Sequence, residues 1–299
     1  MGASSNGNMP SREPKIYLLP NLMTAGNLFC GFMAVLTIFE GIQLADVASL
    51  SPAEEKLELM RQAYDQYQLA ILLIFGSCLF DVLDGRLARL GGQESPFGRE
   101  FDSIVDVVSF GVAPALLVFK AVLFELPDRI GWLIAFVYLL CGAMRLARFN
   151  CMAEEGTGGK NFQGFPIPAA AGVVSSITLM LIWLNEGPHQ MWAWSKYGLA
   201  ILMIFLSLMM VGRIEYPSFK QISWRSEGSL PRILCLVLLL VFTAYNYQWM
   251  PAVIFVFYLI YGFVRPWLPR KLRRAIESAP AAPPEGTAAP EEGDARYSS

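Results

Sequence analysis

Asp81-Val82-Leu83-Asp84-Gly85-Arg86-Leu87-Ala88-Arg89, followed after eight residues by Gly98-Arg99-Glu100-Phe101-Asp102-Ser103-Ile104-Val105-Asp106, is the stretch that decides how this chain is built. Four aspartates stand here in otherwise apolar sequence, and an ionisable side chain in or beside a bilayer is costly enough to mark a pathway or a reaction centre. Asp81, Asp84, Gly85, Ala88 and Arg89 fall at i, i+3, i+4, i+7 and i+8, one face of a helix. Gly98, Asp102 and Asp106 recur every four residues, one face of a second helix. About a dozen residues separate the two faces, enough for the helices to turn back and oppose them.

Opposed carboxylates repel one another unless a cation lies between them. Hard divalent metals take oxygen ligands, and a two-metal site about 4 Å across suits carboxylates drawn from two helices. Such a site would grip a pyrophosphate, whose oxygens complete the coordination. Gly85 and Gly98 leave room for a ligand near the backbone, and Arg89 can clamp a phosphate. A proton or ion relay would also use buried aspartates, but it gives no reason for both glycines, Ala88 and Arg89.

Composition places the pattern in a membrane. Of 299 residues 55% are hydrophobic and only 16% charged, against about a quarter charged in soluble domains. Mean hydropathy is +0.43. Apolar runs near the ~20 residues that a span requires recur at 18–40, 67–88, 102–125, 131–149, 166–185, 197–214, 232–248 and 251–265. The predicted fold is therefore an all-α, polytopic transmembrane bundle of about eight spans. With both termini cytoplasmic, the inside receives most Lys and Arg, including Arg86, Arg89, Arg99, Lys160, Arg213, Lys220 and the cluster Arg270, Lys271, Arg273 and Arg274. The outside receives Lys56, Arg61, Arg129 and Lys196, the asymmetry that the positive-inside rule expects. The aspartates then lie at the cytoplasmic ends of the second and third spans.

The remaining features set boundaries. Acidic residues gather in the outer loop 46–65 and the tail 275–299, so the net charge of −2 gives no support for nucleic-acid binding. Residues 51–66 read as a short surface helix, and the Ala-, Pro-, Gly- and Glu-rich tail as disordered. The division expected is a cytoplasmic segment 1–17, a transmembrane core 18–220, a C-terminal pair of spans with a basic end 221–274, and the tail 275–299. Asn21, Thr24, Gly26 and Asn27 make the first span unlike a signal-peptide core, so it is expected to be retained. Cys30, Cys78, Cys141, Cys151 and Cys235 lack metal-ligand spacing and read as free packing residues, and His189 as an exposed loop residue.

The aspartate stretch fills every fixed position of D-x2-D-G-x2-A-R-x8-G-x3-D-x3-D, and so resembles the CDP-alcohol phosphatidyltransferases. The resemblance implies a six-helix core, here with two further C-terminal helices. It also implies Mg²⁺ or Mn²⁺, two ions, held by Asp81, Asp84 and Asp102 and completed by Asp106, which serves as general base. Gly85, Ala88, Arg89 and Gly98 would hold the CDP moiety, and a homodimer is implied. Four more segments, Leu19–Gly31, Ser109–Ala115, Arg145–Asn150 and Phe162–Gly172, are similar to those of membrane-integral phosphatidylserine synthases, although Phe165 stands where that family often has Leu or Met. The expected partners are CDP-diacylglycerol, L-serine and membrane lipid, in a bacterial inner membrane.

Serine carries a carboxylate, so its site wants a cation. Arg145 and Arg148, with Asn150 adding a hydrogen bond, are candidates, as is Lys220. Both arginines read equally as headgroup anchors, and one of them as a ligand of the lipid phosphate. Glycerol 3-phosphate or inositol phosphate as acceptor, an ion-coupled carrier and a structural scaffold are the other readings. A phosphorylated acceptor would need a denser basic pocket.

Overall fold

Apolar segments in lipid must satisfy their own N–H and C=O groups, and this chain does so with helices. The computed structural model describes residues 18–91, 95–154, 162–184, 193–212, 215–216 and 229–265. In chain order come α1 (Leu18–Leu50), α2 (Ala53–Gly91), α3 (Pro96–Asp106), a π-helical segment (Val107–Val112) and α4 (Ala113–Ala121). Then follow α5 (Ile130–Glu154), β1 (Phe162–Gln163), α6 (Ile167–Leu184), α7 (Ala193–Val211), β2 (Glu215–Tyr216), α8 (Ser229–Tyr245) and α9 (Met250–Val264). Among the described residues six stretches are long and apolar enough to cross a membrane: Leu18–Leu50, Ala53–Leu87, Pro96–Ala121, Ile130–Met152, Ile167–Leu184 and Trp194–Val211. Each coincides with a predicted span. The last two predicted spans coincide with α8 and α9, helices of 17 and 15 residues among the described residues.

The largest departure from the sequence reading is the hairpin of α1 and α2. The separate surface helix expected over 51–66 is instead the first part of α2, and α1 runs on to Leu50. Small residues let the two helices touch along this extension. Ala48 and Ala63 are fully buried, and a Cβ at Gly41 would stand 2.7 Å from the Tyr67 ring. Only a narrow stripe is buried, so a hydropathy window underestimates the length.

The start of α3 is written in its sequence. Ser95 Oγ accepts from the Gly98 N–H at 3.0 Å, and Pro96 fills the first helical position. Pro114 lies further along the same continuous helix and has no N–H to return to the Phe110 carbonyl four residues back. The backbone widens into the π-helical segment just before it, and Tyr138 Oη of α5 donates to that carbonyl at 3.1 Å. Gly31 of α1 lets this segment approach closely: a Cβ there would lie 2.9 Å from Ser109 Cα. A Cβ at Gly26 would likewise meet the Phe80 ring at 2.9 Å. Both glycines thus serve packing inside the chain.

Beyond α5, β1 pairs antiparallel with β2, Phe162 opposite Tyr216 and Gln163 opposite Glu215. Gly164 has φ +85° and no room for a Cβ against the Met210 carbonyl. The Phe165 N–H donates to Met209 O at 3.0 Å. These contacts fix the loop into α6 against the end of α7. Cys30, Cys78, Cys141 and Cys151 are free thiols. Cys235's side chain, Lys220, His189 and the tail lie outside the described residues.

Gly31→Val should destabilise the protein by about 1–3 kcal/mol through overpacking against Ser109. Gly198→Ala, on a helix with nothing within 4 Å of the added Cβ, should be neutral or stabilising by up to ~1 kcal/mol. Thermal melts of detergent-solubilised protein check both.

Candidate functional site

Helices α2 and α3 set their two aspartate faces against each other. Asp81, Asp102 and Asp106 each offer a carboxylate oxygen, all within 4.8 Å of one another. Asp84 lies outside that trio but within electrostatic reach of Asp102 and Asp106. Asp84 and Asp106 are buried, while Asp81 and Asp102 are partly buried.

Polar groups of α1 hold two of the four carboxylates. Thr24 Oγ1 donates to Asp84 Oδ2 at 3.1 Å, and Asn27 Nδ2 donates to Asp106 Oδ1 at 3.3 Å. Thr24 and Asn27 are three residues apart, on one helical face. Asn27 is also tied down through its backbone, because its carbonyl accepts from Ser77 Oγ of α2 at 3.1 Å and from Ser109 Oγ of the π-helical segment at 3.2 Å. The residue thus joins three parts of the bundle at the site. Polar residues in the first span were visible in the sequence, but their carboxylate partners lie 60 and 79 residues away.

The glycines and basic residues of the pattern distribute unevenly. Gly98 lies at the third position of α3, where a Cβ would press on Ser95 Oγ at 3.2 Å and Asn21 Oδ1 at 3.3 Å. It permits close contact between α3 and the start of α1. Gly85 lies on α2 one residue beyond Asp84, and Ala88 and Arg89 fall in the last turns of that helix, with side chains outside the described residues. Arg145 is 8% exposed and within electrostatic reach of Asp106, and its Nε is buried without a hydrogen-bond partner. Arg148 is exposed. Asn150 Nδ2 is engaged within the protein: it lies 3.2 Å from both carboxylate oxygens of Glu100 and 3.0 Å from Ser103 Oγ. Asn150 therefore ties α5 to α3.

The carboxylate trio offers oxygen ligands, the chemistry that hard divalent cations select. The trio's 4.8 Å spread is close to the diameter of an oxygen shell with metal–oxygen distances of roughly 2.0–2.6 Å. Asp102 Oδ1 is buried without a hydrogen-bond partner, a lone pair that a cation would satisfy. The residues present fit a divalent metal.

Comparison with known proteins agrees with this geometry. Residues 17–216 match the CDP-alcohol phosphatidyltransferase family. The chain belongs to that family. A Helicobacter pylori protein named CDP-diacylglycerol–serine O-phosphatidyltransferase is 32% identical over 256 residues, 85% of this chain and 92% of the relative. A Bacillus subtilis protein of the same name is 32% identical over 203 residues, 68% of this chain and 92% of the relative. An archaetidylserine synthase of Methanothermobacter thermautotrophicus is 37% identical over 180 residues, 59% of this chain and 70% of the relative. The family match covers α1 to β2 and ends before α8 and α9.

Mn²⁺ or Mg²⁺ at about 100 times its dissociation constant should stabilise the wild type by ~2.7 kcal/mol. The gain should shrink or vanish in Asp102→Asn, read as the shift in melting temperature with and without metal.

Proposed function

We propose that this chain transfers the phosphatidyl group from CDP-diacylglycerol to the hydroxyl of L-serine, giving phosphatidylserine and CMP. The observation that carries the reading is the aspartate signature, three of whose carboxylates meet in one cluster with Asp84 within electrostatic reach. Relatives aligned over 92% of their own lengths and named for serine as acceptor support the choice of alcohol.

Asp81, Asp84, Asp102 and Asp106 would hold Mg²⁺ or Mn²⁺, two ions in this reading. Bound there, the metal would offset charge on the pyrophosphate and on departing CMP. Asp106 accepts the proton of the serine hydroxyl, and Asn27 holds its other side in register. The serine oxygen forms its bond to the phosphorus that bears diacylglycerol as the bond to the CMP oxygen breaks. Gly85, Ala88, Arg89 and Gly98 would form the nucleotide side of the site. Arg145, a buried cation within electrostatic reach of Asp106, takes the serine carboxylate. It is the one residue of the acceptor set with both burial and electrostatic contact to the cluster among the described residues. The Lys and Arg asymmetry supports a site facing the cytoplasm of a bacterial inner membrane. A homodimer is part of the same reading.

Purified protein given CDP-diacylglycerol and Mn²⁺ should release CMP when serine is added, but not with glycerol 3-phosphate or inositol phosphate. Asp106→Asn should lower the rate by roughly 10²–10⁴, the range for loss of a positioned base. Release driven only by a phosphorylated alcohol would overturn serine as the acceptor. Transport surviving Asp106→Asn, with no CMP formed by wild type, would favour an ion-coupled carrier.

A further inference from the structure

A backbone carbonyl inside a helix already accepts from the N–H four residues on, and the Asn27 carbonyl of α1 accepts from two hydroxyls besides. Ser77 Oγ of α2 donates to it at 3.1 Å and Ser109 Oγ of the π-helical segment at 3.2 Å, and both serines are fully buried. Buried hydroxyls in helices commonly turn back on their own backbone, as those of Ser176, Thr178 and Ser207 do here. Ser77 and Ser109 cross to another helix instead. Ser77 stands four residues before Asp81, and Ser109 three residues after Asp106, in each case about one turn away. Each hydroxyl therefore ties α1 to an element that carries signature aspartates. Gly31 makes room for the second of them, because a Cβ there would collide with Ser109 Oγ.

The residue so held is the one whose side chain bonds the base. Asn27 Nδ2 donates to Asp106 Oδ1 at 3.3 Å, just beyond the ~2.7–3.2 Å of most N–H···O bonds, so a small drift of α1 would break the contact. A carboxylate that must take a proton from one direction needs its plane fixed, because a misplacement of about 1 Å can cost two orders of magnitude in rate. We propose that Ser77 and Ser109 are positioning residues for the base. Together they clamp the Asn27 backbone to α2 and to the π-helical segment, and so hold its amide, and through it the Asp106 carboxylate, toward the acceptor hydroxyl. Neither serine touches substrate in this scheme. The base is aimed from two sides through one residue of α1. The inference rests on the assignment of Asp106 as general base made above.

Steady-state CMP release from the full-length protein, with serine and CDP-diacylglycerol varied separately, tests it. Ser77→Ala and Ser109→Ala should each lower kcat about three- to tenfold, the size of a typical net hydrogen bond. The KM values for serine and CDP-diacylglycerol should stay within about twofold of wild type, the pattern of an interaction that matters only in the transition state. Ser109→Cys, which keeps the shape and weakens the donor, should fall between wild type and Ser109→Ala. Asn27→Ala, which removes the amide itself, should lower kcat about ten- to a hundredfold. In the Asn27→Ala background neither serine change should cost more than about twofold in kcat, because the clamp then has nothing to hold. A wild-type kcat in both serine variants, while Asn27→Ala is slow, overturns this inference alone. So does a serine effect of full size in the Asn27→Ala background, and so does a loss of kcat accompanied by shifts in both KM values, which marks a purely structural role. A wild-type kcat in Asn27→Ala, while Asp106→Asn is slow, breaks the link between clamp and base and overturns it too. Undiminished release by Asp106→Asn removes the base assignment and this inference with it. Absence of serine-driven release in wild type overturns the proposed function itself.

Discussion

Mutual repulsion of four carboxylates inside a bundle of apolar helices is the constraint to which the rest of this structure answers. Aspartates brought together in an apolar setting need donors, cations or both, and each supporting feature supplies one. Thr24 and Asn27 place two donors of α1 on Asp84 and Asp106. Arg145 brings a buried positive charge within electrostatic reach of Asp106, and Asp102 has a buried oxygen without a hydrogen-bond partner that a metal could take. The supports in turn need helices to approach closely, which is where Gly31 and Gly98 enter. The wide turn after Asp106 belongs to the same scheme, because it carries Ser109 to the Asn27 carbonyl. Charge placement and backbone irregularity are here one design.

Much of this was legible in the sequence. Hydropathy located the centres of all six membrane-capable helices, because a run of about 20 apolar residues is hard to place elsewhere. Four-residue spacing put the aspartates on two faces, and Ser95-Pro96 gave the start of α3. What escaped notice depended on contacts between distant segments. Asn27 reads as one polar residue in an apolar span, and nothing nearby says that it joins Ser77, Asp106 and Ser109. Pro114 announces a disturbed helix, but not that a tyrosine of α5 supplies the donor it lacks. Asn150 looks available for a ligand until Glu100 and Ser103 are placed beside it.

The two halves of the signature differ in their setting. Asp102 and Asp106 stand on a helix whose start is capped and whose end is held by α1 and α5. Asp81 and Asp84 stand near the end of a 39-residue helix whose far end is anchored along α1. A short, closely held element thus faces a long one, and α1 touches both. This explains why the first span, which carries none of the signature, has so many polar and small residues near its beginning.

The length of α1 and α2 has a practical consequence. Thirty-three residues of helix span about 50 Å, well beyond a hydrocarbon core of roughly 30 Å even when tilted. The hairpin therefore stands clear of the bilayer at the end opposite the aspartates, tipped by Ser51 and Pro52. A soluble domain grafted through continuous helices at that tip would inherit a stiff arm fixed to the two helices that carry or brace the carboxylates. For a membrane protein of 33.2 kDa, this is a natural handle for image alignment in electron microscopy.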